Sequence, residues 1–338
     1  MSLIALLFAV WVYSWFAYWS DLDWDYQHKR NSAQLSEFEQ GADDGLYKIS
    51  LNEMEYRLWV TGMNNSGPAI IMLHGFPEAA IMWQPLMEAA AAQGYRVAAF
   101  DQRGYSPNAR PKALSDYKLD ILEKDVIQMA DALGFEDFNL VGHDWGAVVS
   151  WAVAIHYPQR IKTLTTLSIP HLGLFFDAIE TDEAQGKAAA YMPRLRMPFL
   201  PEFRFLKSKQ AFIRGWFSKL PEEQEAEYLL RVREPGAFTA MLDWYRANIP
   251  ADLIQDESVY TPVRMPTLFI IGDKDSIAQA HIVAKQDAYV DAPYSALHLD
   301  TGHNLIQRKT DEVVNAVMSH LGKYAQSHYA EIQSENRE

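Results

Sequence analysis

Short apolar runs separated by helix-patterned stretches constrain this chain more than any other feature. Ala69–Leu73, Arg96–Phe100, Phe138–Val141 and Leu164–Ile169 alternate with the helical spacings of Ala80–Gln93, Leu119–Leu133 and Ala147–His156. Strands that are apolar throughout are buried on both faces, which predicts a mostly parallel sheet covered by helices on either side. The alternation stops after Pro170. From 174 to 255 there is no strand-like run, and Pro221–Arg233 and Ala237–Ala247 carry helical patterns. It resumes with Pro266–Ile271, His281–Tyr289, Ser295–Leu299 and a last helix, Asp311–Tyr324. Upstream, Leu46–Leu51 and Tyr56–Val60 alternate with period two around Asn52-Glu53 and predict a hairpin. The expected organisation is an α/β core in two pieces, 45–173 and 256–323. An all-helical cap over 174–255 is inserted between them, and a polar, frayed tail occupies 324–338.

The most pointed local pattern lies in the third of these runs. Gly142-His143-Asp144-Trp145-Gly146 joins a strand to a helix, the context that makes Gly-x-acid-x-Gly a nucleophile elbow. The sharp turn strains its central residue and demands small neighbours two positions away, which Gly142 and Gly146 satisfy. A carboxylate at the centre attacks an alkyl carbon and forms an ester, so Asp144 implies chemistry different from that of a serine esterase. The competing reading makes Asp144 the N-cap of the following helix.

Residues at the carboxyl ends of parallel strands converge on one site. Asp275, in Gly272-Asp273-Lys274-Asp275, and His303, in Gly302-His303, follow the last two strands. They supply the orienting acid and the general base of a triad, with Asp273 as the rival acid. His74-Gly75-Phe76-Pro77 follows Ala69–Leu73, where the second oxyanion donor of such a site comes from. The Phe76 and Trp145 amides are therefore expected to form the oxyanion hole, with His74, Pro77 and Trp145 near substrate.

Composition narrows the chemistry further. Thirty Lys and Arg against forty-four Asp and Glu leave a formal charge of −14, which disfavours nucleic-acid binding. The chain has no cysteine, so thiol catalysis, thiolate metal sites and disulfides are excluded. Residues 1–20 carry no charged side chain, and 3–19 form one apolar run rich in Trp, Tyr and Phe. Seventeen helical residues span about 25 Å, just short of a bilayer's hydrocarbon thickness. The expectation is membrane association through this segment with the catalytic part cytoplasmic; the alternative is export after signal cleavage.

Taken together, His74-Gly75-Phe76-Pro77, Asp101-Gln102-Arg103-Gly104-Tyr105-Ser106, the aspartate elbow, Gly272-Asp273-Lys274-Asp275 and Gly302-His303 resemble the α/β-hydrolase-fold epoxide hydrolases over residues 45–323. The resemblance implies an eight-stranded, mostly parallel sheet with a helical cap, and hydrolysis of a small apolar epoxide by water, with neither metal nor organic cofactor. It also implies two cap tyrosines that donate to the epoxide oxygen. Asp243-Trp244-Tyr245-Arg246 is similar to the family's Asn-Trp-Tyr-Arg segment and indicates Tyr245. Tyr191, seven residues before Pro198, matches the first tyrosine segment more loosely, because Arg194, Leu195 and Arg196 replace its usual residues.

Haloalkane dehalogenases use the same aspartyl ester, but resemble one another in carrying Asn or Glu where this chain has Phe76. Fluoroacetate dehalogenases share His-Gly-Phe-Pro and place Arg where this chain has Trp145. A non-catalytic ligand-binding module on the same fold is the third reading, because a fold does not fix a function. The cap aromatics Phe175, Phe176, Phe199, Phe203 and Trp216 fit either an apolar substrate tunnel or the core of the cap itself.

Overall fold

The computed structural model describes residues 34–208, 215 and 220–335. The apolar segment 1–20 and Trp216 lie outside these residues. Among the described residues no helix is long and apolar enough to cross a membrane.

Eight strands form one sheet in the order β1-β2-β4-β3-β5-β6-β7-β8. They are β1 (Gly45–Leu51), β2 (Met54–Thr61), β3 (Ala69–Leu73), β4 (Arg96–Phe100), β5 (Phe138–His143), β6 (Ile161–Leu167), β7 (Thr267–Gly272) and β8 (Tyr294–Leu299). Only β2 runs against its neighbours. The β1–β2 hairpin turns at Asn52 and Glu53, both at positive φ (50° and 64°), the geometry a two-residue primed turn requires. Strands β3, β5 and β7 are buried at every position, which is why their sequences do not alternate.

Helices α1 (Gln84–Ala92), α2 (Leu119–Ala132) and α3 (Trp145–His156) fill the crossovers. Between β6 and β7 the chain leaves the sheet and builds α4 (Leu172–Thr181), α5 (Glu183–Ala188), α6 (Met192–Arg196), α7 (Leu200–Ser208), α8 (Glu222–Arg233), α9 (Ala237–Ala247) and α10 (Pro250–Leu253). After β8 come α11 (Leu305–Arg308) and α12 (Thr310–Glu335). Helix α12 is anchored by Val313, Val317, Leu321 and Ala325, a buried stripe at four-residue spacing. It continues well past Tyr324, so the expected frayed tail from 324 is a correction: no proline follows, and Ala, Gln and Glu favour continuation. The segment Ala280–Tyr289, expected as a helix, is 3₁₀-helical.

The helices between β6 and β7 are tied to the sheet by charge as well as by apolar packing. Arg57 of β2 pairs with Asp101, at the end of β4, and lies 2.5 Å from Glu227 of α8. Glu227 lies 3.5 Å from Arg231, Arg231 lies 2.9 Å from Glu234, and Glu234 lies 2.6 Å from Arg110. The three cations and three carboxylates balance, as burial at this depth demands. Helix α9 is set by neutral contacts instead. Trp244 Nε1 donates to the Arg103 carbonyl at 2.8 Å, and Asn248 donates to the Tyr117 carbonyl while accepting from the Leu119 amide, each at 2.8 Å. Those bonds fix the rotation of α9 and turn Tyr245 towards the sheet.

Candidate active site

Five neighbouring parallel strands deliver the site. The carboxyl ends of β3, β5, β6, β7 and β8 lead directly to Phe76, Asp144, Ser168, Asp275 and His303. Asp144 sits at φ 51°, ψ −120°, a strained conformation for a residue with a side chain. The glycines around it are obligatory by contact. A Cβ on Gly146 would lie 2.1 Å from the Leu73 carbonyl oxygen, and one on Gly142 would lie 2.3 Å from the Gly146 carbonyl oxygen.

The N-cap reading of Asp144 is not what the side chain does, for it makes no capping hydrogen bond to α3. Its Oδ1 accepts from the Phe76 amide at 2.8 Å, and its Oδ2 faces His303 Nε2 at 3.4 Å. On the other side of the imidazole, Nδ1 lies 3.0 and 3.2 Å from the two Asp275 oxygens. Asp275 Oδ1 also accepts from the Ile277 and Ala278 amides, at 2.7 and 3.3 Å. The rival Asp273 stands apart, half exposed and 2.9 Å from His298.

The electrostatics follow from burial and partners. Burial disfavours the imidazolium of His303, but Asp275 and Asp144 outweigh it and hold its pKa well above the ordinary value. Burial likewise opposes ionisation of Asp144, and His303, His143 and the Phe76 amide reverse the balance, so its pKa is lowered. Both shifts favour the charged forms, a carboxylate on Asp144 and an imidazolium on His303.

Asp144, Tyr245 and Tyr191 share one cavity. They line it with Trp145, Val148, Ile169, Phe175, Phe176, Met192, Arg196, Asn248 and Pro250. The Tyr245 ring packs edge-on to Trp145 at 5.0 Å, to Phe76 at 5.2 Å and to Tyr191 at 6.3 Å between centroids. Burial first, then neighbours that include the Asp144 carboxylate, push both phenols far above their ordinary pKa. They stay protonated and able to donate.

Other expected residues sit elsewhere. His74, expected near substrate, is fully buried in the frame of its loop: Nδ1 donates to the Gly75 carbonyl at 2.9 Å and Nε2 accepts from the Gln102 amide at 3.1 Å. Neither His74 nor Pro77, which follows a cis peptide bond, is in the cavity wall. Phe175 and Phe176 are in that wall, whereas Phe199 and Phe203 face solvent. The expected tunnel thus keeps only part of its aromatics, because the turn before α7 projects Phe199 into solvent and Phe203 lies on the exposed side of α7.

Four residues were not anticipated from the sequence. Ser168, at φ 72°, places Oγ 2.7 Å from Asp275 Oδ2 and 2.7 Å from His303 Nδ1, between acid and base. Behind His303, the buried Glu78 and His143 meet at 2.8 Å, and His143 Nε2 donates to the His303 carbonyl at 3.0 Å. Gln307 donates to Glu78 at 2.7 Å. Pattern alone offered one signal for this pair: an acid and an imidazole beside motif residues on neighbouring strands.

Fold and site together define an α/β-hydrolase with an aspartate in the nucleophile's position. The family model described as alpha/beta hydrolase fold matches residues 68–207. The chain is 27% identical over 271 residues to Epoxide hydrolase 3 of Xenopus tropicalis, covering 77% of this chain and 72% of that protein. It is 28% identical over 295 residues to Epoxide hydrolase A of Mycobacterium tuberculosis, covering 75% and 90%. The crystal structure of a Bacillus megaterium epoxide hydrolase with an inhibitor shares the fold, with a TM-score of 0.71 at 24% identity over 81% of this chain and 99% of that one. The chain thus has the α/β-hydrolase fold and is similar over about three quarters of its length to epoxide hydrolases.

Proposed function

We propose that the protein hydrolyses an apolar epoxide to a vicinal diol through an ester on Asp144. The observation that carries this reading is that Asp144, whose pKa is lowered, and two buried phenols, whose pKa values are raised, line one cavity. An Asp144 oxygen attacks an oxirane carbon, the C–O bond opens, and Tyr245 or Tyr191 gives its proton to the departing oxygen. Ester formation removes one of the two negative charges that hold the proton on His303. The imidazolium thereby becomes more acidic just when a base is needed, and its proton neutralises the phenolate.

Neutral His303, oriented by Asp275, then takes a proton from water as the water oxygen attacks the ester carbonyl. The Phe76 and Trp145 amides stabilise the oxyanion. Collapse releases the diol and restores the Asp144–His303 ion pair, so protons balance over the cycle. The oxygen that stays with the diol comes from Asp144, and the oxygen of water enters the carboxylate.

A single turnover in ¹⁸O-water tests this. Label in the Asp144 peptide and none in the first-turnover diol is expected; label in the diol would mean direct attack by water. Equimolar styrene oxide and a bromoalkane separate the readings further. Halide release would favour a dehalogenase, but Phe76 offers no side-chain donor to a halide and packs on Tyr245 instead. Saturable binding without turnover would favour a ligand-binding module.

A further inference from the structure

Among the described residues five large apolar side chains are well exposed, and four of them fall in one stretch of the cap: Met197 (48%), Phe199 (81%), Leu200 (37%) and Phe203 (39%). Chance placement would scatter them. Phe199 is also held at φ 64°, a strained conformation whose result is to project an aromatic ring into solvent. The Met197 carbonyl accepts from Arg246 at 3.1 Å, which ties the strained turn to α9.

Charge around the patch runs against that of the chain. The whole protein carries −14, yet Arg194 and Arg204 are exposed beside the patch and Arg196 is half-buried. None of the three is in an ion pair among the described residues, while the single acid within the stretch, Glu202, is taken by Arg246 at 2.8 Å. The patch also adjoins the active site, since Tyr191, Met192 and Arg196 line the cavity.

We propose that residues 194–204 dock the cap onto a bilayer surface bearing anionic headgroups, with Phe199 and its apolar neighbours in the interfacial layer and Arg194 and Arg204 on the headgroups. Aromatic and aliphatic side chains flanked by cations are the composition such an interface takes. A second copy of the chain fits worse, because a two-fold contact would set this patch against itself and bring like charges together. Docked in this way, the cavity wall abuts the phase into which an apolar substrate partitions. The docking itself does not depend on which bond the site breaks.

The absence of cysteine permits a position-specific test on the full chain. Phe199→Cys, labelled with a polarity-sensitive fluorophore, is mixed with vesicles of phosphatidylcholine alone or with one-third phosphatidylglycerol. The expected result is a blue shift and at least about a twofold rise in emission on the anionic vesicles, reversed by about 0.5 M salt, where screening is short-ranged. Arg194→Glu/Arg204→Glu in the labelled background should abolish the rise and leave turnover of a water-soluble substrate unchanged. A probe at Leu114→Cys, exposed elsewhere on the molecule, should not respond. Co-sedimentation with vesicles while the probe at 199 stays unchanged would overturn the proposal, because attachment would then lie in another part of the chain. A shift that grows with protein concentration without vesicles would overturn it in favour of self-association.

Discussion

Replacing Asp275 by Asn should divide the catalytic cycle in two, and the structure says where. Oδ1 accepts from the Ile277 amide at 2.7 Å and from the Ala278 amide at 3.3 Å, so the Asn carbonyl oxygen must stay in that place. Its NH₂ then occupies the Oδ2 position, 3.0 Å from His303 Nδ1. A donor at that shorter distance favours Nδ1 as the acceptor over its 3.2 Å contact with the retained oxygen, and moves the imidazole proton to Nε2, the nitrogen facing Asp144. An imidazole protonated on that face cannot take a proton from water. Loss of the Asp275 anion also removes a partner that raises the His303 pKa, but the wrong tautomer remains at any pH where the ring is neutral.

The corresponding change in the serine-protease triad lowers kcat by roughly 10⁴, about 5.5 kcal/mol of barrier. A similar loss is expected here, confined to ester hydrolysis. Asp144 keeps the Phe76 amide and the two tyrosines, so the alkylation step continues. Rapid quench with a chromophoric epoxide should therefore show a burst of about one equivalent per site followed by very slow turnover. Intact mass should rise by the mass of the substrate. Turnover within tenfold of wild type would refute the assigned geometry. Loss of activity without any adduct would refute the division of labour between Asp144 and His303.

Ser168→Ala removes the hydroxyl between acid and base and should lower kcat about 10- to 150-fold, the worth of one buried hydrogen bond to charged groups, with KM little changed and the pH profile displaced; an unchanged profile would leave Ser168 a packing role only. Tyr245→Phe and Tyr191→Phe should each slow the burst by about 10- to 100-fold as proton donors to the leaving oxygen, and the double variant should lose the burst altogether. Glu227→Gln leaves a buried excess positive charge and should cost about 3–5 kcal/mol by urea unfolding, whereas changing Glu227 and Arg231 together to apolar residues should cost much less. Stability should depend on pH through the central pair. The raised His303 pKa contributes stability that is full below the unfolded histidine value and is lost as pH rises through the folded one; the lowered Asp144 pKa contributes stability present above the unfolded carboxylate value and lost as pH falls. The wild-type advantage over His303→Gln should therefore shrink on raising pH, and an advantage that grows instead would contradict the ion pair.

Local rules reach some features of this protein and not others. Apolar periodicity suffices for the strands, because a strand buried on both faces must be apolar throughout, and glycines two residues either side of Asp144 suffice for the elbow, because no other residue fits there. The chain order of Asp144, Asp275 and His303 was legible for the same reason: in a parallel sheet, each follows the end of a strand. What side chains meet across the sheet was not legible. Only tertiary packing put Ser168 between Asp275 and His303, turned His74 inward, backed His303 with Glu78 and His143, and chose Asp275 over Asp273 by burying one carboxylate and exposing the other. It also sent Phe175 to the cavity and Phe199 to solvent, a choice that depends on the backbone turn that precedes α7. Sequence therefore determined which groups stand at the strand ends, a matter of hydrophobic period and backbone sterics. Structure decided which of them touch, because contacts between residues far apart in the chain depend on how whole elements pack.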